Sequence, residues 1–248
     1  MTDTVIRDRS RLATAKAVLF DLDGVLTPTV DVHMRAWARL FTDYLAARGA
    51  APYTDDDYYL HIDGKPRVDG VRSMLASRGL TLPEGTADDP AGDGTVWALG
   101  NRKNDAFAAE LAEDGIAAYP GSLEFLTAAI DAGYEVAVVS SSRNAEPVLA
   151  AAGIRDRFTV IVDGLRSAAE GLQGKPSPET YRRAAELLGL TPSECVVIED
   201  AHSGVQAGRD GDFGLVVGVD RGVGAQELLD SGADVVVDDL VELVPFLR

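Results

Sequence analysis

Short apolar runs rich in valine and isoleucine punctuate the chain at Ala17 to Phe20, Glu135 to Val139, Thr159 to Val162, Cys195 to Ile198, Leu215 to Val217 and Val235 to Val237. They lack the alternation of half-exposed strands, so they predict strands buried on both faces and therefore parallel. Helical patterns lie between the later runs, at Ser122 to Ala132, Ala145 to Ala152, Pro178 to Leu188 and Ala225 to Ser231. That alternation predicts a doubly wound α/β domain, a parallel sheet with helices on both faces.

The stretch between the first and second runs breaks the alternation. Roughly from Thr29 to Ala118 it carries helical patterns and no strand pattern, and it is too long for a simple crossover. From Asp31 to Arg48, the residues Met34, Trp37, Phe41 and Tyr44 recur at three- and four-residue spacing and define one apolar face. The reading is an inserted helical domain at 29–118, with 1–28 and 119–248 forming the α/β core. Within the insert, Leu82 to Gly94 is rich in Pro, Gly and Asp and predicts a surface loop between helices.

Charge narrows the possible partners. With 23 basic and 40 acidic residues the formal net charge is −17, a surface that repels nucleic-acid backbones and anionic lipid. A small molecule is the expected partner and a monomer the expected state. An acidic protein handling an anion needs a local reversal of potential, from a bound cation, focused Lys and Arg, or helix N-termini. The single cysteine, Cys195, lies in an apolar run and reads as a small buried thiol. No run of 18 apolar residues exists, and the polar start from Met1 to Ser10 lacks the apolar core of a secretory signal. A cytoplasmic protein is expected.

Open α/β sheets bind ligands at the carboxyl ends of their strands, so the polar residues that follow the apolar runs are the candidates for chemistry. After the first strand come Asp21 and Asp23, two residues apart and followed by Gly24. One such acid can attack phosphorus while the other moves a proton; the same residues are also common turn formers. Glu199 and Asp200 follow the fourth strand. Clustered carboxylates call for a cation, and all-oxygen ligands suit Mg2+; a helix N-cap is the other use of such a pair. Lys175, between Gly174 and Pro176, offers countercharge or is a solvated surface lysine. Ser140, directly after the second strand, can donate to phosphate oxygens or simply end the strand.

Taken together, DLDGVLT (Asp21 to Thr27), VVSSS (Val138 to Ser142), GKPSPE (Gly174 to Glu179) and VIEDAHSGVQA (Val197 to Ala207) resemble the four motifs of the haloacid dehalogenase superfamily. The resemblance implies a Rossmann-like core with a small helical cap that closes over the site and excludes water. It implies Asp21 as phosphorylated nucleophile, Asp23 as general acid and base, and Ser140 and Lys175 on the transferring phosphoryl group. Mg2+ would be held by Asp21, the Asp23 carbonyl and Asp200, with Glu199 in or beside the coordination shell.

Within that superfamily, His33 to Trp37, Gly64 to Arg67 and Arg102 to Asp105 resemble the cap stretches of β-phosphoglucomutases. The likeness implies a sugar-phosphate substrate touched by His33, Trp37, Gly64, Arg67, Lys103 and Asn104 from the cap and by Ser142, Arg143 and Asn144 from the core. On the residues alone, His33 and Trp37 can instead pack on the apolar face and Arg102 to Asp105 can be a solvated helix face. Pro28, Arg143 and Lys65-Pro66 depart from the usual residues of these mutases, and the loop from Leu82 is longer. The expected reaction interconverts β-glucose 1-phosphate and glucose 6-phosphate through glucose 1,6-bisphosphate. A sugar-phosphate phosphatase and a phosphate-binding sensor are the alternatives.

Overall fold

The computed structural model describes residues 10–248; Met1 to Arg9, most of the polar start discussed above, lie outside the described residues. In chain order the elements are α1 (Ser10–Thr14), β1 (Ala17–Phe20), α2 (Thr29–Ala46), α3 (Asp55–His61), α4 (Arg67–Ser77), α5 (Val96–Asp114), α6 (Pro120–Asp131), β2 (Glu135–Val139), α7 (Ala145–Ala151), β3 (Val160–Val162), α8 (Gly164–Glu170), α9 (Glu179–Leu187), β4 (Cys195–Glu199), α10 (His202–Asp210), β5 (Leu215–Val219), α11 (Ala225–Ser231) and β6 (Val235–Val237). Two compact units result: the described residues up to Pro28 with Ala117–Arg248, and Thr29–Ile116.

The first unit is a parallel sheet in the order β3-β2-β1-β4-β5-β6. Phe20 at the end of β1 stands level with Val138 of β2 and Ile198 of β4. The chain runs from β1 through β2 to β3 on one side of the sheet and then crosses to β4 on the other side of β1, so the order reverses between β1 and β4. That reversal is the switch point at which open sheets form their crevice. β1 and β4 are buried along their whole length. Leu19, Val139, Val197 and Val216 pack with Tyr181, Ala184 and Val205 of the covering helices into one core.

The second unit is helical. Trp37, Phe41 and Tyr44 of α2 lie buried against Val71 and Met74 of α4 and Val96 and Leu99 of α5, with Met34 at the edge of the cluster. Trp37 stacks on Phe41 at 5.5 Å between ring centroids, and Phe41 on Tyr53 at 5.9 Å. The helix begins at Thr29, two residues before the sequence pattern predicts, because the apolar stripe continues through the buried Thr29 and Val32. It ends at Ala46, ahead of Gly49, whose φ of +61° closes the turn. The segment from Leu82 to Gly94 is irregular, and it is tied down from α5 as described below.

Candidate active site

The acids converge because neighbouring strands end level. The Asp21 amide extends the β1–β4 ladder by donating to the Ile198 carbonyl at 2.9 Å, which sets Asp21 beside Glu199 and Asp200. Ligand oxygens of Asp21, Glu199 and Asp200 all lie within 4.8 Å of one another, and all three residues are buried. The backbone makes room for them through glycine. Gly24 sits at φ +88°, and a Cβ there would fall 1.8 Å from Asp200 Oδ2. A Cβ on Gly204, inside α10, would fall 1.8 Å from Glu199 Oε1.

Lys175 is 3% exposed and belongs to this cluster, so the solvated-surface reading of it is excluded. Its three protons are all engaged: Nζ donates to Asp21 Oδ1 at 2.5 Å, to Glu199 Oε1 at 2.5 Å and to the Val139 carbonyl at 3.0 Å. Burial works against the ammonium, but the attraction of Asp21 and Glu199 outweighs it, and the Lys175 pKa stays above the ordinary lysine value. Burial drives the Asp21 carboxyl well above the usual range, opposed by Lys175 and reinforced by the charges of Glu199 and Asp23.

Glu199 is committed to protein donors on both oxygens. Oε1 accepts from Lys175 and, at 2.9 Å, from the Tyr181 hydroxyl; Oε2 accepts from the amides of Asp200 and Ala201 at 3.1 and 3.2 Å. The helix-capping use of this acidic pair is not realised: the N-cap of α10 is Ala201, without a side-chain cap bond, and the amides that Glu199 accepts from lie ahead of the helix. Three buried carboxylates thus gather around one ammonium. A divalent cation with oxygen preference fits that donor set.

The second-strand residues form a rim. Ser140 Oγ donates to Asp23 Oδ2 at 3.3 Å and accepts from the Ser142 amide at 3.0 Å; Ser142 Oγ accepts from the Asn144 amide at 3.1 Å. Arg143 lies against Gly164, where an added Cβ would sit 3.0 Å from Arg143 Cγ. These turns hold Ser142, Arg143 and Asn144 half-buried in the β2–α7 connection.

The helical unit carries a second polar group. Lys103 is 3% exposed, which excludes a solvated face at that position. Its Nζ contacts His33 Nδ1 and lies 5.2 Å from the Trp37 ring centroid and 4.8 Å from that of Phe107. His33 is stacked on Phe107 at 4.2 Å, so its packing role and its contact with Lys103 coexist. Asn104 is half-buried beside Lys103, whereas Arg102 pairs with Asp93 at 2.5 Å near the surface. Gly64, at φ +67°, turns the chain between α3 and α4, and Arg67 opens α4.

Sequence reasoning missed Asn101. Its Oδ1 accepts from Arg67 Nη2 at 2.8 Å, while its Nδ2 donates to the carbonyls of Ala87 and Asp89 at 3.2 and 2.8 Å. One amide thus anchors the long loop and aims the arginine. Tyr181 and Gly204 were missed too. The signal for Gly204 is a glycine inside a helix, which costs about 1 kcal/mol relative to alanine and points to a close approach. Cys195 is fully buried and its thiol is pushed up to about 12 by burial, so it takes no part in this chemistry.

The crowding at Gly24 sets a test. Gly24→Ala should cost about 1–3 kcal/mol for the left-handed backbone alone, and it displaces Asp200. Thermal unfolding with and without Mg2+ should then show both a lower melting temperature and a smaller stabilisation by the cation than in the unaltered protein.

A parallel sheet with its acids gathered at the switch point, and with a buried lysine among them, defines an α/β enzyme built around a reactive carboxylate. A family model of haloacid dehalogenase-like hydrolases matches residues 15–212. A beta-phosphoglucomutase from Mycobacterium bovis is 50% identical over 240 residues, covering 92% of this chain and 91% of its own. Among solved structures, a beta-phosphoglucomutase from Clostridium difficile superposes with a TM-score of 0.74 at 25% identity, covering 92% of this chain and 93% of its own. CbbY from Rhodobacter sphaeroides, in complex with phosphate, does so at 0.70 with 27% identity, covering 92% and 96%. The chain belongs to the haloacid dehalogenase-like hydrolase family and is an enzyme of that family. Among the described residues, no helix is long and apolar enough to cross a membrane.

Proposed function

We propose that this enzyme is a β-phosphoglucomutase, interconverting β-glucose 1-phosphate and glucose 6-phosphate through glucose 1,6-bisphosphate. The observation that carries the reading is the 50% identity to a protein of that name over nearly the whole of both chains. The second polar group of the helical unit, with Lys103 buried and Arg67 aimed by Asn101, adds to it, because a bisphosphate needs a grip on the phosphate that is not reacting.

In the forward direction Asp21 starts as the aspartyl phosphate. The sugar's C6 hydroxyl oxygen attacks phosphorus, the bond from phosphorus to the Asp21 oxygen breaks, and Asp23 accepts the hydroxyl proton, helped by the Ser140 hydroxyl at 3.3 Å. The bisphosphate then binds the other way round. Asp21 attacks the C1 phosphate, Asp23 returns its proton to the C1 oxygen, and glucose 6-phosphate leaves while Asp21 is again phosphorylated. Asp21, the Asp23 carbonyl and Asp200 would hold Mg2+, which offsets charge on the equatorial phosphoryl oxygens when bound. Glu199 sits beside that site and holds Lys175 and the Asp200 backbone in place. Lys175, already on Asp21, faces the same charge. The helical unit acts as the cap that keeps water from the aspartyl phosphate, with Arg67 and Asn104 on the distal phosphate and with His33, Trp37, Gly64 and Lys103 lining the sugar side. Ser142, Arg143 and Asn144 meet the non-reacting phosphate from the core. The protein acts as a cytoplasmic monomer, a setting that suits its one buried free thiol.

A rapid-quench experiment tests the partition that separates mutase from phosphatase. Glucose 1,6-bisphosphate should phosphorylate the peptide containing Asp21, and β-glucose 1-phosphate should discharge it far faster than water does. A phosphopeptide that decays at one rate with or without the sugar phosphate makes the enzyme a phosphatase.

Asn101→Ala removes the bond to Arg67 and both bonds to the loop at once. Loss of a hydrogen bond to a charged group is worth about 1.5 kcal/mol, so the KM for glucose 1,6-bisphosphate should rise about tenfold with kcat within twofold. Steady-state kinetics with the bisphosphate varied is the check.

A further inference from the structure

Arg221 lies in the connection between β5 and α11, outside every motif read from the sequence. Its side chain nevertheless reaches the turn that follows β1. Nε donates to the Gly24 carbonyl at 2.9 Å, Nη1 donates to the Asp238 carbonyl at 3.1 Å, and the guanidinium carbon stands 4.0 Å from the ring centroid of Tyr119.

The turn it holds follows Asp21 directly and contains Asp23. From Leu22 to Thr27 that turn is closed by bonds of its own, Gly24 N to the Thr27 carbonyl at 2.8 Å and Leu26 N to the Leu22 carbonyl at 3.0 Å. It is also tied to the segment that returns to the sheet: Tyr119 N donates to the Leu26 carbonyl at 2.9 Å and Ser122 Oγ to the Val25 carbonyl at 2.6 Å. Arg221 spans both strands of this arrangement, bonded to Gly24 on one and stacked on Tyr119 on the other, and it braces them against the residue that follows β6.

Gly24 cannot shift without consequence, because it lies so close to Asp200 that a Cβ on it would fall 1.8 Å from Oδ2, and its φ is +88°. A change in the plane of the following peptide would move Asp23 and Gly24 against the acids. The Nη2 of Arg221 is buried with no hydrogen-bond partner among the described residues. A guanidinium suits the task, since it can bond through two edges and stack through its face at once, which an ammonium cannot.

We infer that Arg221 is a positioning residue for the phosphoryl transfer, clamping the Gly24 carbonyl to Tyr119 and so fixing the turn that presents Asp21 and Asp23. It acts through that turn and touches no reacting atom. The inference rests on the reading of Asp21 and Asp23 as nucleophile and proton carrier.

The test compares the full chain with Arg221→Ala and Arg221→Lys by turnover of β-glucose 1-phosphate, with and without added guanidinium, and by amide hydrogen exchange in 22–27. A sub-ångström loosening at the reacting groups should lower kcat of Arg221→Ala about 10- to 50-fold with KM within twofold. Guanidinium should restore at least about fivefold of that loss, Arg221→Lys should lie between, and exchange in 22–27 should quicken with the melting temperature nearly unchanged. Unaltered kcat, a loss that guanidinium does not relieve, or unaltered exchange in 22–27 would overturn the inference. If the unaltered protein gives no Asp21-dependent turnover of this sugar phosphate, the substrate reading fails by itself, and the exchange of 22–27 alone decides the role of Arg221.

Discussion

Asp21→Asn is expected to lower turnover by on the order of 10^4-fold or more while leaving the melting temperature unchanged or raised. The two halves of this result have different causes. An amide keeps the size of the carboxylate, and its oxygen can still accept from Lys175, but it has no charge with which to attack phosphorus. The fold gains because Asp21 is an unfavourable place for a charge: burial pushes its carboxyl up, and Glu199 and Asp23 add to that. Removing the charge relieves both. Turnover measured by product formation, beside a thermal unfolding curve, checks the pair. Residual activity above one part in about a hundred would remove Asp21 from the role of nucleophile.

Lys175→Met is expected to act on stability and chemistry together. The ammonium is, among the described residues, the positive side chain bonded directly to the buried acids Asp21 and Glu199. Breaking a buried ion pair by removing one partner costs about 3–5 kcal/mol, which for a chain of this size lowers the melting temperature by on the order of 10 °C. The change also takes a donor away from the Val139 carbonyl and leaves Glu199 with Tyr181 and two backbone amides. Loss of a preorganised charge at the developing phosphoryl oxygens lowers kcat by about 10^2- to 10^3-fold. Mg2+ should recover more of the melting temperature in this variant than it adds to the unaltered protein, because the cation then supplies charge that the lysine no longer does. A variant as stable as its parent would contradict the geometry around Nζ.

The sheet was legible because its strands are buried on both faces. Ala17 to Phe20 and Val235 to Val237 stand in the structure as the apolar runs define them, and β3 loses only Thr159. Helix α8 was not legible. Its sequence, GLRSAAE, has no apolar face, and it forms where Asp163 Oδ1 accepts from the amides of Leu165 and Arg166 at 3.1 and 2.9 Å. The short segment Leu240–Phe246, with Pro245 inside it, was missed for a similar reason: it is a 3-10 turn capped by Asp239, and it carries no 3.6-residue repeat.

The acids of the site were legible because they stand directly after apolar runs, where topology alone brings them together. Their partners were not. Tyr181 occupies a helical core position like any other aromatic, and only the fold reveals that its hydroxyl meets Glu199. Arg221 and Asn101 act at long range, 197 residues from Gly24 in one case and 34 from Arg67 in the other, and neither distance leaves a mark in a local pattern. Lys103 lay within a run whose charge suggested a solvated face, yet it is buried, with its ammonium beside Trp37, Phe107 and His33.

The most direct measurement follows phosphorus itself. Purified protein with Mg2+, β-glucose 1-phosphate and a trace of glucose 1,6-bisphosphate, observed by phosphorus NMR beside the Asp21→Asn variant, should convert the glucose 1-phosphate signal into that of glucose 6-phosphate with no matching inorganic phosphate, and only when Asp21 is intact. Inorganic phosphate as the main product, or conversion that persists without Asp21, would contradict the account.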